Sequence, residues 1–392
     1  MELSWSTDQA RRYQLWATRL IGETYPPGDD GIRRCFAHLG SVQLDPLPIL
    51  GRNHDLVFQS RVCGTHPGDA LALIHRERLG FEYWDKMMCA VSLDAYPLFA
   101  SLMGEGGKAW ERNRAEKLKC TSPGIIDHVL ATVRQHGPLS SRELRALDVA
   151  QQEHRGWKAT RTANVALEAL WNQGRIAVSH RVNYRRYFDV TSRVIPSTAL
   201  ERPSQPTRPF GEALLLRRVA AVGLLSSSGD AESWTFLRAG RRDGLPQHLV
   251  ERGDLIEVNV RGISAPFYAL ASAEADLEAA MNADPSAMPQ FIAPLDPLLW
   301  GRDSLRRLWN FDYAWEVYKP RSKRRFGYYV LPILYRDRFV GRFDGRYDRE
   351  ARTLQVISYH QEKAGLSVDA PAVRQAFGRF LRYLGGERIA FP

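Results

Sequence analysis

The 392-residue sequence predicts an α+β protein in which three-helix units, each closed by a two-stranded hairpin, precede a small β-rich module. Three observations lead there. A helix–helix–helix–hairpin pattern occurs twice between residues 121 and 284, and short alternating strands replace it after residue 285. The hydrophobic fraction, 44%, is ample for several buried cores.

The elements follow in order. Ser6, with Gln9 three residues on, fits a capping box, and Ala10, Tyr13, Ala17 and Leu20 then recur at helical spacing. After the break at Tyr25-Pro26-Pro27-Gly28, a short helix carries Ile32, Cys35, Phe36 and Leu39 and stops at Gly40. The string Ser41-Val42-Gln43-Leu44-Asp45-Pro46 comes next, and Pro46 disfavours the α region at Asp45. Extended backbone there would put Gln43 and Asp45 on one side and turn Leu44 to the core.

In the first copy of the repeated pattern, Ser122 and Pro123 open a helix with Ile125, Ile126, Val129 and Val133 on its apolar face, ended by Gly137-Pro138. Ser140 and Glu143 form a second capping box, and a third helix carries Ala163, Ala166, Leu167, Leu170 and Trp171. Strands at 175–178 and 187–190 flank a basic turn over residues 181–186. This order is that of a winged helix. The second copy expects helices at 213–222, 231–237 and 245–251, then strands at 255–260 and 267–270. Beyond 285, strands at 328–331, 333–335, 339–341 and 354–357 suggest a small barrel or curled sheet. A terminal helix carries Val373, Phe377, Phe380 and Leu384. Four regions result: 1–120, 121–200, 201–284 and 285–392, with a proline-rich linker at 201–209.

Several classes of function are disfavoured. No apolar run approaches the ~18–20 residues of a membrane span. The opening Met1-Glu2-Leu3-Ser4-Trp5 has no basic segment before an apolar one, so a soluble cytoplasmic protein is expected. Cys35, Cys63, Cys89 and Cys120 form no C-x-x-C pair and read as reduced, mostly buried thiols. No zinc-ligand spacing and no phosphate-binding glycine loop occurs, so no metal or cofactor is expected. The charge is informative instead. Lys and Arg exceed Asp and Glu by 10, and residues 317–349 alone hold ten Lys/Arg against three Asp. Arg321, Lys323, Arg324 and Arg325 precede Phe326, Tyr328 and Tyr329, as in a hairpin tip offering cations to phosphates with rings behind it.

These strings together resemble one family, the bacterial winged-helix DNA glycosylases of the AlkZ and YcaQ (AlkX) type. The likeness is carried by Val42-Gln43-Leu44-Asp45, by Phe81-Glu82-Tyr83-Trp84 and by the run from Arg181 to Thr191. Its most specific parts are Pro294-Leu295-Asp296-Pro297-Leu298-Leu299-Trp300-Gly301-Arg302 and the run from Lys323 to Pro332. The resemblance implies a C-shaped array of tandem winged helices followed by a small β-barrel. It implies excision of bulky or crosslinked N7-alkylguanines, including unhooking of interstrand crosslinks in base excision repair. Gln43-Leu44-Asp45 matches the Q-Φ-D motif of the YcaQ branch.

The chemistry supports this independently. An N7-alkylguanine is already cationic and departs without protonation, so one carboxylate suffices where glycosidases commonly use two. Asp45 is the candidate that stabilises the oxocarbenium-like sugar or activates water, and Gln43 the candidate that positions that water. The structural alternative is that Asp45 only closes a turn before Pro46. Candidate DNA contacts are Arg52, Arg61, Arg185, Arg186, Arg321, Lys323, Arg324, Arg325 and Arg342. Asp296 and Trp300 fit either a functional string or core packing. A lyase would need an amine near the site, which folding would have to supply from Lys86 or Lys158; a monofunctional enzyme is expected. The expected partner is duplex DNA with alkylated or crosslinked guanine, met by a monomer associated with the bacterial nucleoid. The competing class is a non-catalytic winged-helix regulator, which would dimerise on an operator and not depend on Asp45.

Overall fold

The computed structural model describes residues 3–22, 25–104, 109–147, 157–201, 208–286, 288–363 and 365–392. The chain forms two compact units, one of Met1–Leu71, Asp85–Met87 and Gly211–Pro392, the other of Ala72–Trp84 and Met88–Phe210. The region 1–120 is thus shared between them. Most of the linker at 201–209 lies outside the described residues.

In the first unit, the helix Thr7–Ala17 starts on the expected capping box. The Ser6 hydroxyl accepts from the Gln9 amide at 3.1 Å, and the Gln9 side chain accepts from the Ser6 amide at 2.8 Å. The helix Asp29–Leu39 stops at Gly40, whose φ of +66° is the left-handed stop that glycine supplies cheaply. Leu3–Trp5 pairs in parallel with Leu255–Val260, which runs antiparallel to Phe267–Leu270. Trp5, Tyr13, Leu15, Phe267, Leu299 and Trp309 share one core with these elements. The short helix expected at 231–237 is instead a series of turns, and the helix follows at Arg238–Arg242. The helix Leu245–Glu251 and both strands after it lie where expected.

The C-terminal part of this unit is a five-stranded sheet in the order Gln290–Phe291, Val330–Tyr335, Arg338–Asp348, Thr353–Gln361, Arg388–Ala390. Among the described residues its outer strands do not pair with each other, so of the two forms expected, a small barrel or a curled sheet, it takes the open one, and the barrel that the family resemblance implies is not closed. The two strands expected around Pro332 are one strand, with a register shift between Ile333 and Leu334. The helix Pro371–Leu384 lays Phe377 and Phe380 on Phe291, with ring centroids 4.9 and 5.1 Å away. Each such buried ring contributes about 1.5–3 kcal/mol.

The second unit follows the expected order: Ile125–His136, Ser141–Ala146, Trp157–Asn172, then strands Ile176–Val182 and Arg185–Val190. Its hairpin turn is tighter than expected. Only Asn183 and Tyr184 lie outside the strands, with φ of +48° and +66°, as a primed two-residue turn requires. Phe81, Tyr83, Phe99 and Trp171 pack as edge-on or tilted pairs 5.2–6.2 Å apart. Among them Glu82 is buried, bound by Arg181 at 2.7 and 2.5 Å and by His75 at 3.1 Å. Burial raises the Glu82 carboxyl, but Arg181 and His75 more than reverse this and hold it well below its usual range. Phe81, Glu82 and Tyr83 are therefore core, Trp84 is partly buried, and Arg181 is the counter-ion of Glu82.

Two cysteines, Cys35 and Cys89, are buried, while Cys63 and Cys120 are exposed, fewer buried than expected. No described helix is long and apolar enough to cross a membrane.

Candidate active site

The Q-Φ-D motif lies in the first unit. Its strand, Ser41–Gln43, ends as Asp45 turns into Pro46. Gln43, Leu44 and Asp45 are all buried, at 8, 6 and 6% exposure. Asp45 does close the turn: its Oδ1 accepts from the Leu47 amide at 2.9 Å. That bond occupies one oxygen of the carboxylate. Among the described residues, Oδ2 receives no hydrogen bond and is available to a reactant. Burial pushes the Asp45 carboxyl above its ordinary range, and the Leu47 N–H offsets this only in part. A carboxylate raised in this way is a better proton acceptor near neutral pH.

The motif is held from behind by a residue that carries no signal in the sequence. Asn53, fully buried, donates to the Gln43 carbonyl at 2.9 Å and accepts from the Leu295 amide at 2.9 Å. It thereby ties the motif strand to the string that starts at Pro294. Within that string, Asp296 takes the Leu298 amide at 3.0 Å, and the Trp300 indole donates to the Leu295 carbonyl at 2.8 Å. Both side chains are buried and structural.

On the Gln43 side chain the structure places Lys86. Its Nζ is 3.5 Å from Gln43 Oε1 and 3.3 Å from a carboxylate oxygen of Glu232. It lies 5.4 Å from the ring centroid of Trp300. Lys158 falls where side chains lie outside the described residues. Tyr329 is also close, its hydroxyl donating to the Gly51 carbonyl at 3.2 Å. Burial raises this phenol well above its usual value, with Asp45 adding to the effect. Gly51 has φ +113°, and a Cβ there would stand 2.7 Å from the Tyr383 hydroxyl, so only glycine fits the loop.

The arginines separate by partner. Arg61 is not a phosphate contact: its side chain is fully buried, bound to Asp296 at 2.7 and 3.0 Å and to the Thr18 carbonyl at 2.8 Å. Arg342 is likewise unavailable. It is 3% exposed, bonded to Glu362 at 2.8 Å and to the Asp312 carbonyl at 2.9 Å, beneath the rings of Phe311 and Phe326. Arg52 is half-buried at the start of the helix Asn53–Gln59, and its charge reaches Tyr329. In the second unit, Arg185 is exposed on the hairpin, whereas Arg186 is paired with Glu168.

The basic run is a loop, not a hairpin tip. Arg321–Lys323 form a single 3₁₀ turn, and no carboxylate pairs with Arg321, Lys323, Arg324 or Arg325 among the described residues. Arg324 lies 4.6 Å over the Tyr328 ring and Arg325 4.7 Å over Phe326, so the rings do stand behind the cations. Buried Glu316 braces the loop, accepting from the Arg325 and Phe326 amides at 2.9 and 2.8 Å and from Lys319 at 2.8 Å. Burial opposes ionisation of Glu316, but Lys319 and those two amides bring its carboxyl down to about 2. Tyr318, 81% exposed, precedes this loop; burial raises its phenol above the usual value, and the charge of Asp45 adds to the effect.

A buried carboxylate with one oxygen anchored and one available, two residues from a carboxamide, and a basic loop in the same unit without described counter-ions suit hydrolysis on a polyanion. The chain belongs to the AlkZ-like DNA glycosylase family, whose model matches residues 36–383. Its fold is similar to that of the Streptomyces sahachiroi DNA glycosylase AlkZ, with a TM-score of 0.61, 15% sequence identity and full coverage of both chains. The protein is thus a DNA glycosylase of this family, with DNA as its substrate.

Proposed function

We propose that this chain hydrolyses the N-glycosidic bond of N7-alkylated guanines in duplex DNA, including guanines held in interstrand crosslinks, and leaves an abasic site. The observation that carries the reading is Asp45, fixed by Leu47 through one oxygen and free at the other. As the C1′–N9 bond breaks, its electron pair neutralises the cationic base. Asp45 stabilises the positive charge on the sugar, and water adds to C1′ while giving its proton to the free carboxylate oxygen. The Gln43 carboxamide orients that water. A crosslinked base stays attached to the opposite strand and cannot enter a snug pocket, so its excision requires attack on the sugar without full extrusion. As part of this reading the three-helix-and-hairpin units are winged helices in tandem, acting with the C-terminal sheet on the duplex.

The test is release of free N7-methylguanine from a methylated duplex, followed by the same assay on a crosslinked one. The raised Asp45 carboxyl gives the pH dependence its sign. The ionised form is lost at a higher pH than for an ordinary aspartate, near 3.9. The single-turnover rate should therefore fall on the acid side with a midpoint above that value, and a midpoint at or below it would remove Asp45 as the base.

The exposed loop yields a separate expectation. Replacing Arg321, Lys323, Arg324 and Arg325 with glutamine should weaken binding to any duplex. The slope of log K against log[salt] should flatten by about 0.9 for each phosphate that is no longer neutralised. An unchanged slope in a binding titration would make the run a solvated loop.

A further inference from the structure

Lys86 is 2% exposed, yet it faces Gln43 Oε1 at 3.5 Å, Glu232 Oε2 at 3.3 Å and the ring of Trp300 at 5.4 Å. Beside it, Asp85 and Arg218 are both buried and paired at 2.5 Å, which fixes the backbone that carries the lysine. Trp300 is fixed in turn by its bond to the Leu295 carbonyl. Resting on the proposed reaction, we propose that Lys86 is a positioning residue that grips the oxygen end of the Gln43 carboxamide, so that the amide nitrogen is the end offered to the reacting water.

An ammonium has three donors and no acceptor, so a carboxamide can meet it only through oxygen. The opposite rotamer would press the Gln43 NH₂ against a buried cation. With Oε1 committed to Lys86, Gln43 acts as a donor. The water oxygen then accepts from Gln43 Nε2, and a water hydrogen points to the free oxygen of Asp45. This division of roles gives the water one orientation, with its lone pair left for C1′. A carboxylate and an aromatic face are also the surroundings of an ammonium ion, not of a free amine nucleophile. Lys86 thus stands at the motif without forming a Schiff base.

The test compares wild type, Lys86→Met, Lys86→Arg, Gln43→Ala and the double variant Lys86→Met/Gln43→Ala. Each is assayed for single-turnover release of N7-methylguanine and for duplex Kd. Lys86→Met should slow release about 10- to 100-fold with Kd unchanged, the scale of a small misplacement of reacting groups. Lys86→Arg should recover most of the rate, and the double variant should be no slower than Gln43→Ala, because the lysine acts through the glutamine. Glu232 is exposed, so Glu232→Gln, which removes this ion pair without disturbing the core, should give a smaller drop in the same direction. Borohydride should trap no adduct between wild type and abasic DNA.

Wild-type release with Lys86→Met unaffected, or multiplicative rate reductions in the double variant, would overturn this inference alone. So would a borohydride adduct that disappears in Lys86→Met. A wild type that releases no base from either methylated or crosslinked duplex would overturn the glycosylase reading and this inference with it.

Discussion

Asp45→Asn should slow release of N7-methylguanine by about 10²–10⁴-fold, the range expected when a positioned base is removed. The fold should survive intact. Asparagine keeps an oxygen that accepts the Leu47 amide, the one described hydrogen bond to the Asp45 side chain. The sign of the stability change follows from the raised carboxyl. A group whose folded pKa lies above its unfolded value is costly to ionise in the native state, and that cost is present at neutral pH. Asp45→Asn removes the cost, so the melting temperature at pH 7 should be unchanged or higher. Loss of activity together with a lower melting temperature would point to a structural role for Asp45 as the closer of the Pro46 turn.

The second large effect concerns stability. Asp296→Ala would strand Arg61, whose guanidinium is fully buried and bound to both Asp296 oxygens. Burial by itself lowers the Arg61 pKa, and Asp296 more than restores it. Removing one member of such a pair costs about 3–5 kcal/mol, since the remaining charge stays in the core. The melting temperature should fall on the order of 10 °C. Replacing both residues by apolar side chains, Arg61→Met with Asp296→Leu, should recover much of that stability. The recovery would stop short of wild type, because Arg61 also donates to the Thr18 and Val57 carbonyls, and Asp296 caps Leu298. Equal destabilisation of the single and double variants, measured by thermal unfolding, would contradict the pair as the source of the effect.

This pair also shows where sequence reading reaches its limit. Arg61 and Arg321 are the same residue type, and the sequence points both toward phosphate. Arg61 instead meets a carboxylate 235 residues away, a pairing set entirely by tertiary folding. Arg342 is buried on Glu362 in the same way, while the run from Arg321 to Arg325 meets no described carboxylate and stays largely exposed. Local charge density locates the loop, but it carries no information about which arginines have distant partners.

What depends on short-range chemistry is legible. The capping boxes at Ser6 and Ser140 and the left-handed stop at Gly40 are present as expected, because each is decided within about four residues. Closure of the C-terminal sheet is decided between strands far apart in sequence; the strand pattern therefore allows both barrel and curled sheet, and the sheet is the open form. The Asn183-Tyr184 turn spans two residues and not the six expected, because its flanking arginines read as loop but pair as strand. At the candidate site, Gln43 and Asp45 are visible through a family string. Asn53 is not, since a lone asparagine gives no sign that it will tie Gln43 to Leu295, which lies 242 residues beyond the asparagine itself. Lys86 stands out in the sequence only as a distant amine, and the structure sets it on Gln43.

In the proposed reaction this chain cuts the glycosidic bond through Asp45. The most direct test of that step is chromatographic detection of free N7-methylguanine from methylated duplex DNA, for wild type and Asp45→Asn side by side, with duplex binding measured on both. Free base should accumulate with wild type and be nearly absent with Asp45→Asn, at equal affinity for DNA. Tight binding by both proteins with no base released by either, from methylated and crosslinked duplex alike, would contradict the account and leave a DNA-binding protein without this chemistry.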